Sequence, residues 1–318
     1  MIVTFYGTRG SVPVSSPDRI RFGGNTTCLR VHSECLPANQ WLAVDAGTGI
    51  VPLGLEALRA KVGRVTVLFT HYHHDHTQGL LLSPITFVKS IDVECYGPLE
   101  HGIGPIQMLK DLMRPPFFPV AYEEQASHFH GKGLDHPSSY VFVIHPEGGV
   151  QLCTVDELER AELKNPPMIA MRRSTKFRLA ECLIIRMLKT NHPESTISYR
   201  FEERPTGNVF VFLTDHENLD GMPQQLQRHL QGADLLVMDS QYPRQRYDER
   251  TAGFGHGTPD YCVRVAQQVQ ARVLGLTHHD PSSTDENVEA ILAEAAAALQ
   301  GQNPLTIFAC QDYQSYTV

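Results

Sequence analysis

VTVLFTHYHHDH, residues 65–76, is the stretch that decides the fold of this chain. Its first half is apolar or β-branched, which is typical of a buried strand in a parallel sheet. Its second half contains four side chains that can bind a metal ion: His71, His73, Asp75 and His76. The stretch therefore predicts a core strand that delivers a polar cluster where the strand ends.

The spacing H-x-H-x-D-H suits two metal ions. On an extended segment His71 and His73 point to the same side, and the turn that follows can bring Asp75 and His76 to an adjacent point. Imidazole and carboxylate groups together suit zinc, manganese or iron, and each ion needs further ligands from elsewhere in the chain. We expect two divalent metal ions, Zn²⁺ in the first place, with Mn²⁺ or Fe²⁺ as alternatives.

Apolar strands recur along the chain, and polar residues follow most of them closely. The runs are LIIRML (183–188), VFVFLT (209–214), LLVMDS (235–240) and VLGLTH (273–278). A helix over DENVEAILAEAAAAL (285–299) and a strand over LTIFAC (305–310) continue the alternation to the C-terminus. This alternation predicts an α/β fold.

The motif HYHHDH (71–76) resembles the signature of the metallo-β-lactamase superfamily, whose fold is a four-layer αββα sandwich. The resemblance implies a further histidine, a bridging aspartate and a last histidine in that order, each at a strand end. His192, Asp215 and His278 fit those places, although His216 and Glu217 compete with Asp215, and His279 competes with His278. The implied first metal site is His71, His73 and His192, and the implied second site is Asp75, His76 and His278, with Asp215 between them.

A narrower resemblance comes from FYGTRGSVP (5–13), FGGNTTCLRV (22–31) and GHGTPD (255–260). These segments look like the branch that holds transfer-RNA 3′-endonucleases, cyclic-nucleotide phosphodiesterases and phosphoribosyl cyclic phosphodiesterases. The resemblance implies that His256 serves the leaving group and that Asp239 holds it, with Asp75 as the third catalytic residue. MDSQY (238–242) departs from the HEAT-like stretch of the endonucleases, and no long basic, glycine-rich arm is evident.

The glycine-containing segments 7–11 and 23–26 are candidates for holding phosphate oxygens, because backbone N–H groups near a metal site can do so. Arg9 and Asn25 would be useful donors there. We therefore predict both side chains as substrate-binding residues.

Taken together, the resemblance implies a metal-dependent phosphodiesterase for a small phosphodiester, in the first place a cyclic nucleotide. The expected nucleophile is a hydroxide held between the two metals. The alternatives are an endoribonuclease of the transfer-RNA 3′-processing type, a hydrolase of non-phosphate esters, and a binding protein without turnover.

The composition is that of a soluble globular protein, with 42% apolar and 19% charged residues over 318 positions. We expect one domain over residues 1–318, with an insertion at about 125–180, where polar stretches and Pro166-Pro167 interrupt the alternation. The seven cysteines lack C-x-x-C spacing, which favours reduced, buried thiols.

The formal net charge of −8 should repel a long polyanion, which argues against a large nucleic acid as a partner. The expected partner is a small phosphodiester substrate, and the sequence leaves a homodimer open. The start MIVTFYGTRG does not resemble a signal peptide, and no apolar run is long enough to span a membrane. We accordingly expect a cytoplasmic protein with no membrane partner.

Overall fold

The computed structural model describes residues 1–125, 128–172, 175–194, 196–219, 221–299 and 304–318. The strands are β1 (Ile2–Gly7), β2 (Cys28–His32), β3 (Gln40–Val44), β4 (Arg64–Leu68), β5 (Asp92–Pro98), β6 (Phe129–Leu134), β7 (Tyr140–His145), β8 (Gly149–Thr154), β9 (Met168–Ala170), β10 (Lys176–Arg178), β11 (Leu183–Thr190), β12 (Thr196–Glu203), β13 (Asn208–Leu213), β14 (Leu235–Asp239), β15 (Val273–Thr277), β16 (Thr306–Ala309) and β17 (Ser315–Thr317).

The α-helices are α1 (Ile50–Arg59), α2 (His74–Thr77), α3 (Pro84–Phe87), α4 (Pro105–Leu112), α5 (Tyr122–Gln125), α6 (Val155–Glu162), α7 (Gln224–Leu230), α8 (Arg244–Arg246), α9 (Pro259–Gln268) and α10 (Asp285–Ala297). Single 3₁₀ turns occur at Leu80–Leu82, Pro137–Ser139 and Leu179–Glu181, and a π-helical turn occurs at Tyr247–Thr251.

Two large mixed sheets form the body of the described chain. The first has the strand order β17-β1-β2-β3-β4-β5-β6, and the second has the order β16-β15-β14-β13-β12-β11-β7-β8. Strands β3 to β6 run parallel to one another, as do strands β13 to β16. Parallel strands need apolar cover on both faces, which agrees with the continuous apolar runs in the sequence.

Strand β13 shows how the layers arise from the alternation of side chains. Its residues Phe210 and Phe212 pack into the core between the two sheets, together with Phe5 and Val31 of the first sheet. Val211 and its neighbours on the same face pack instead against helices outside the second sheet. A strand with apolar residues on both faces thus joins two cores, each large side chain contributing roughly 1.5–3 kcal/mol on burial.

Helices cover the outer faces of both sheets. Residues of α1 and α4, such as Leu53 and Met108, pack with Val65 and Val67 of the first sheet. Residues of α7, α9 and α10 pack with β13, β14 and β15 of the second sheet. The order helix, sheet, sheet, helix confirms the predicted α/β class and the four-layer αββα sandwich.

The predicted insertion at about 125–180 is too wide. Strand β6 extends the first sheet by pairing with β5, and strands β7 and β8 extend the second sheet from β11. Helix α6 and the hairpin of β9 and β10 lie outside these two sheets, and residues 126–127 and 173–174 are not among those described. Strand β6 lacks the apolar pattern by which core strands are identified in a sequence, because it is an edge strand whose middle residues, 130–132, are exposed.

All seven cysteines are free and buried, in agreement with the prediction of reduced thiols. Within the described residues, every helix falls short of the length and apolar character that crossing a bilayer requires.

Candidate metal centre

The polar cluster lies where strands of both sheets end. His71 and His73 follow β4, Asp215 follows β13, and His278 is the first residue after β15. Because β13 and β15 are both parallel to β14, their carboxyl ends meet at one edge of the second sheet. The corresponding edge of the first sheet supplies the HYHHDH segment, so the two sheets together build one site.

The structure brings all seven predicted ligands together in two groups. The ligand atoms within each group lie within 4.8 Å of one another. The first group is His71, His73, His192 and Asp215, and the second is Asp75, His76 and His278.

Asp215 divides its two carboxylate oxygens between the groups. Its Oδ2 lies 3.6 Å from His71 Nε2 and 3.9 Å from His192 Nε2. Its Oδ1 lies 3.3 Å from His76 Nε2 and 3.4 Å from His278 Nε2. One carboxylate therefore faces both groups, as a ligand shared by two ions would.

Hydrogen bonds from the protein fix how most of the histidine rings are turned. His71 donates from Nδ1 to the Thr70 hydroxyl at 3.0 Å, and His192 donates from Nδ1 to the carbonyl of Gly255 at 3.0 Å. His278 lies with Nδ1 3.2 Å from Gln241 Oε1. In each ring the bond at Nδ1 leaves Nε2 for the centre of the site, which is how outer contacts orient metal-binding histidines.

Asp45 completes this outer set, and the sequence analysis missed it. His76 donates from Nδ1 to Asp45 Oδ2 at 2.8 Å, while Thr70 donates to the same carboxylate from its backbone N–H at 2.7 Å. Asp45 is the first residue after β3. The rule that polar residues at strand ends build the site, applied to WLAVDAG, would have found it.

Three site residues share an uncommon backbone conformation. Asp45, Asp215 and His278 have φ values of 58°, 46° and 62°, in the left-handed region that few non-glycine residues occupy. Each comes immediately after a strand or one residue later. Backbone strain of this kind costs of order 1–3 kcal/mol per residue and concentrates at functional sites, where it aims a side chain.

The protonation states of the cluster differ between the two ligand groups. Burial alone would raise the pKa of Asp75, but His76 and His278 hold it well below its usual range. Burial lowers the pKa of His71 strongly, and the neighbouring His76 adds to this, which keeps the His71 imidazole neutral. An ionised Asp75 and a neutral His71 are in the protonation states that bind metals. Although burial lowers the pKa values of His76 and His278, Asp215 and the neighbouring carboxylates raise that of His76 and bring that of His278 to about 9, so a cation bound there would displace a proton from each ring.

The donor set fits divalent metal ions. His71 Nε2 is buried and has no hydrogen-bond partner within the described residues, although buried polar atoms are nearly always paired. The side chain of His71 is only 1% exposed. A cation held by the first group would satisfy this nitrogen, and nitrogen and carboxylate ligands are those that zinc, manganese and iron(II) accept.

His256 and Asp239 lie together beside the metal ligands. His256 donates from Nδ1 to Asp239 Oδ2 at 2.7 Å, and its ring stacks on that of His278 with centroids 4.9 Å apart. The other oxygen of Asp239 accepts the backbone N–H of Gln241 at 2.9 Å. The carboxylate thus fixes the orientation of the His256 imidazole. Because Nδ1 is bonded to Asp239, Nε2 is the ring nitrogen that can contact a substrate.

The loop that carries His256 is held by Glu217. This carboxylate accepts the Tyr247 hydroxyl at 2.8 Å, the N–H of Gly253, and the N–H of Gly255 at 3.1 Å. Gly255 has φ +90°, and a Cβ there would lie 2.2 Å from His192 Nδ1. Only glycine can approach the ligand so closely.

The first glycine-containing loop serves the metal ligands rather than a phosphate. The N–H of Ser11 donates to Asp75 Oδ2 at 2.6 Å. A Cβ at Gly10 would lie 2.4 Å from the ring of His278, so the absence of a side chain lets the loop cover that ligand. The backbone N–H of Ser11 was predicted to hold a phosphate oxygen, but it donates to Asp75 instead.

The contacts of Arg9 are structural and do not support the prediction that it binds substrate. Its side chain is fully buried and donates to the carbonyls of Gly23, Asp280 and Ser283 at 2.8–3.1 Å. The guanidinium therefore ties two loops together. Asn25 accepts the Thr48 hydroxyl at 3.2 Å and lines a separate cavity of about 350 Å³, so its role in binding stays a prediction.

The competing residues have other contacts. His279 Nε2 donates to the carbonyl of Cys310 at 2.8 Å, and His216 lies 2.9 Å from the Tyr261 hydroxyl. Glu217 binds the loop described above. The two ligand groups thus contain His278 and Asp215 and none of these rivals.

Comparisons with known proteins agree with this architecture. The family model described as "Beta-lactamase superfamily domain" matches residues 40–279. The metallo-β-lactamase fold protein YhfI from Bacillus subtilis is 18% identical, with a TM-score of 0.64 and 99% of each chain covered. The short form of human tRNase Z is 17% identical, with a TM-score of 0.60, over 100% of this chain and 99% of that one.

A diphosphatase from the PhnP family is 16% identical, with a TM-score of 0.59, over 100% of this chain and 97% of that one. No curated protein matches the sequence significantly. At these identities the likeness to solved structures concerns the fold.

Proposed function

Since the chain belongs to the metallo-β-lactamase-fold superfamily, whose members are mostly metal-dependent hydrolases, we propose that it hydrolyses a small phosphodiester, in the first place a cyclic nucleotide. The observation that carries the proposal is the pair of His256 and Asp239 beside the shared ligand. Asp215 Oδ2 lies 4.0 Å from His256 Nδ1. A proton-transferring imidazole thus stands next to the place where two ions would hold a phosphate.

Two divalent ions bound by the seven ligands would supply a water of lowered pKa as the nucleophile and would neutralise charge on the phosphate oxygens. The chain itself supplies the proton for the leaving group. With Nδ1–H donated to Asp239, His256 can give a proton from Nε2 to the departing ribose oxygen. Asp239 stabilises the imidazolium before that transfer and holds the ring in place, as the carboxylate does in catalytic triads.

The charge of the chain supports a small substrate. With 35 acidic against 27 basic residues, the protein has no overall attraction for a polyanion such as transfer RNA. A single phosphodiester presents one negative charge, which two divalent cations outweigh. We therefore favour a small diester over RNA.

The proposal is tested by hydrolysis assays on metal-loaded protein. The substrates are bis(p-nitrophenyl) phosphate and a panel of 3′,5′- and 2′,3′-cyclic nucleotides, and the variants are Asp75→Ala and the exposed control Asp135→Ala. We expect the wild type and the control to hydrolyse at least one cyclic nucleotide, and Asp75→Ala to lose this activity. If fully metal-loaded wild type hydrolyses no diester of the panel, the proposed function is wrong.

A further inference from the structure

A cavity of about 260 Å³ opens on the first ligand group. We call it the acid-lined cavity, and its lining residues are His71, Tyr72, His73, Glu100, His101, Ile103, Met108, Asp111, Leu112 and Glu194. Drug-sized ligands occupy pockets of roughly 300–1,000 Å³, so this cavity suits a fragment such as one planar heterocycle.

Apolar side chains form much of its wall. Ile103, Met108 and Leu112 come from α4 and the turn before it, and Tyr72 comes from the HYHHDH segment. Tyr72 donates its hydroxyl to the carbonyl of Pro98 at 2.6 Å, so its polar atom is already bonded and the ring contributes apolar surface. A flat aromatic ligand gains from such walls.

Three carboxylates and three imidazoles supply the polar part of the lining, and the exposed His101 lies with Nε2 3.6 Å from Glu194 Oε2. Glu100, Asp111 and Glu194 lie on the cavity, and no lysine or arginine is among its described lining residues. Lys110, which precedes Asp111 in the sequence, lies outside this lining, with Nζ 5.7 Å from the centroid of the Tyr122 ring. Carboxylates only accept hydrogen bonds, so they favour N–H donors and repel a phosphate.

The acid-lined cavity adjoins the first ligand group, because two of the ligands form part of its wall. His71 lines it, and His71 Nε2 is the buried nitrogen that has no hydrogen-bond partner within the described residues. His73, the exposed member of the first group, lines it as well. A phosphodiester held by the ligand groups would therefore place one of its substituents in the cavity.

We propose that the acid-lined cavity binds the amino-bearing base of a nucleotide diester and excludes substrates that carry a second phosphate. The inference rests on the proposed function, because it names the substrate class of the same centre. N–H groups of the base donate to the carboxylates, and the ring lies against Tyr72, Met108 and Leu112. A phosphorylated ribose would bring its second phosphate towards three carboxylates.

The test compares two substrates that differ in one amino group. These are cyclic AMP, in whichever ring form the protein hydrolyses, and the same cyclic phosphate of purine riboside, which lacks the exocyclic amine. Wild type, Asp111→Asn, Glu100→Gln and the exposed control Glu159→Gln are compared, with bis(p-nitrophenyl) phosphate as a substrate that has no N–H donor. We expect the wild-type kcat/KM to favour cyclic AMP by about 10-fold, the loss for one charged hydrogen bond.

Asp111→Asn and Glu100→Gln should each bring the ratio of the two kcat/KM values towards one, whereas Glu159→Gln should leave it as in the wild type. A wild-type ratio near one, or a preference for a phosphoribosyl cyclic phosphate, overturns the inference, and continued hydrolysis of bis(p-nitrophenyl) phosphate shows that the proposed function survives. If no diester is hydrolysed, calorimetric titration with adenosine and purine riboside decides the inference separately, and equal or absent binding contradicts it.

Discussion

Asp45 Oδ2 lies 2.8 Å from His76 Nδ1, and both side chains are fully buried. The carboxylate therefore determines which nitrogen of His76 carries the proton and leaves Nε2 for a cation. Asp45 also accepts two bonds from Thr70, whose hydroxyl in turn orients His71. One buried carboxylate thus supports a ligand in each of the two groups.

We predict that Asp45→Asn weakens metal binding by about 10- to 100-fold, the usual cost of losing such an outer contact. Asparagine tolerates the left-handed backbone that Asp45 adopts at φ 58°, so the change tests the charge and not the loop. Titration of the metal-free protein with Zn²⁺ measures the effect, with the partly exposed Asp92→Asn as control. Unchanged affinity for both ions would show that Asp45 does not support the site.

His256→Asn should lower kcat by about 10²- to 10⁴-fold for a diester with an alkoxide leaving group. The loss should be much smaller for bis(p-nitrophenyl) phosphate, because p-nitrophenolate departs without protonation. Elemental analysis of the variant must find the metal content unchanged. Equal losses on both substrates, with the metals retained, would contradict the role of His256 as proton donor.

Glu217→Gln should loosen the loop that carries His256, because three donors converge on this carboxylate. We expect kcat for the cyclic nucleotide to fall by about 10-fold, the order of one charge-assisted hydrogen bond. Cleavage by trypsin after Arg250 should accelerate. Glu249→Gln is the matched control, since Glu249 is exposed and accepts only the Gln245 side chain among the described contacts. Identical kinetics and proteolysis in both variants would contradict the proposal that Glu217 holds the loop of His256.

Asp312, which is not a metal ligand, should make the stability of the folded protein depend on pH. Burial raises the pKa of Asp312 to about 6 from its ordinary 3.8, although the N–H groups of Asn25 and Gly24 oppose the rise. The folded state therefore binds this proton more tightly than the unfolded state, and the contribution to stability is lost as pH rises from about 4 to about 6.

Asp312→Asn should accordingly flatten this part of the pH profile. Urea unfolding of wild type and variant at several pH values between 4 and 7 gives the free energy of unfolding of each. The free energy of unfolding of the wild type should exceed that of the variant by the largest amount at the acid end of the range. A difference that is constant with pH would mean that Asp312 titrates normally in the folded state.

Much of the site was predictable because one rule of chain geometry governs it. The ligands His71, Asp215 and His278 all follow apolar runs, and the ends of parallel strands meet at one edge of each sheet. Asp45 obeys the same rule after QWLAV and was overlooked because its segment lacks a histidine. The positive φ values of Asp45, Asp215 and His278 leave no signal in the sequence, since none of them is glycine.

The failures have equally physical causes. Strand β6 is polar in its middle because it lies at the edge of a sheet, so the apolar pattern that identifies core strands is missing. Arg9 looked like a phosphate ligand beside two glycines, but its guanidinium meets carbonyls of Asp280 and Ser283, some 270 positions away. The sequence carries no local trace of such a distant contact.

The most direct test of the central claim is the metal stoichiometry of activity. Metal-free protein is titrated with Zn²⁺, and in parallel with Mn²⁺, while bound metal and hydrolysis of the cyclic nucleotide are measured on the same samples. Our prediction is that two ions bind per chain and that turnover appears only as the second group fills. Saturation at one ion per chain with full activity, or two bound ions without any hydrolysis of a diester, would contradict it.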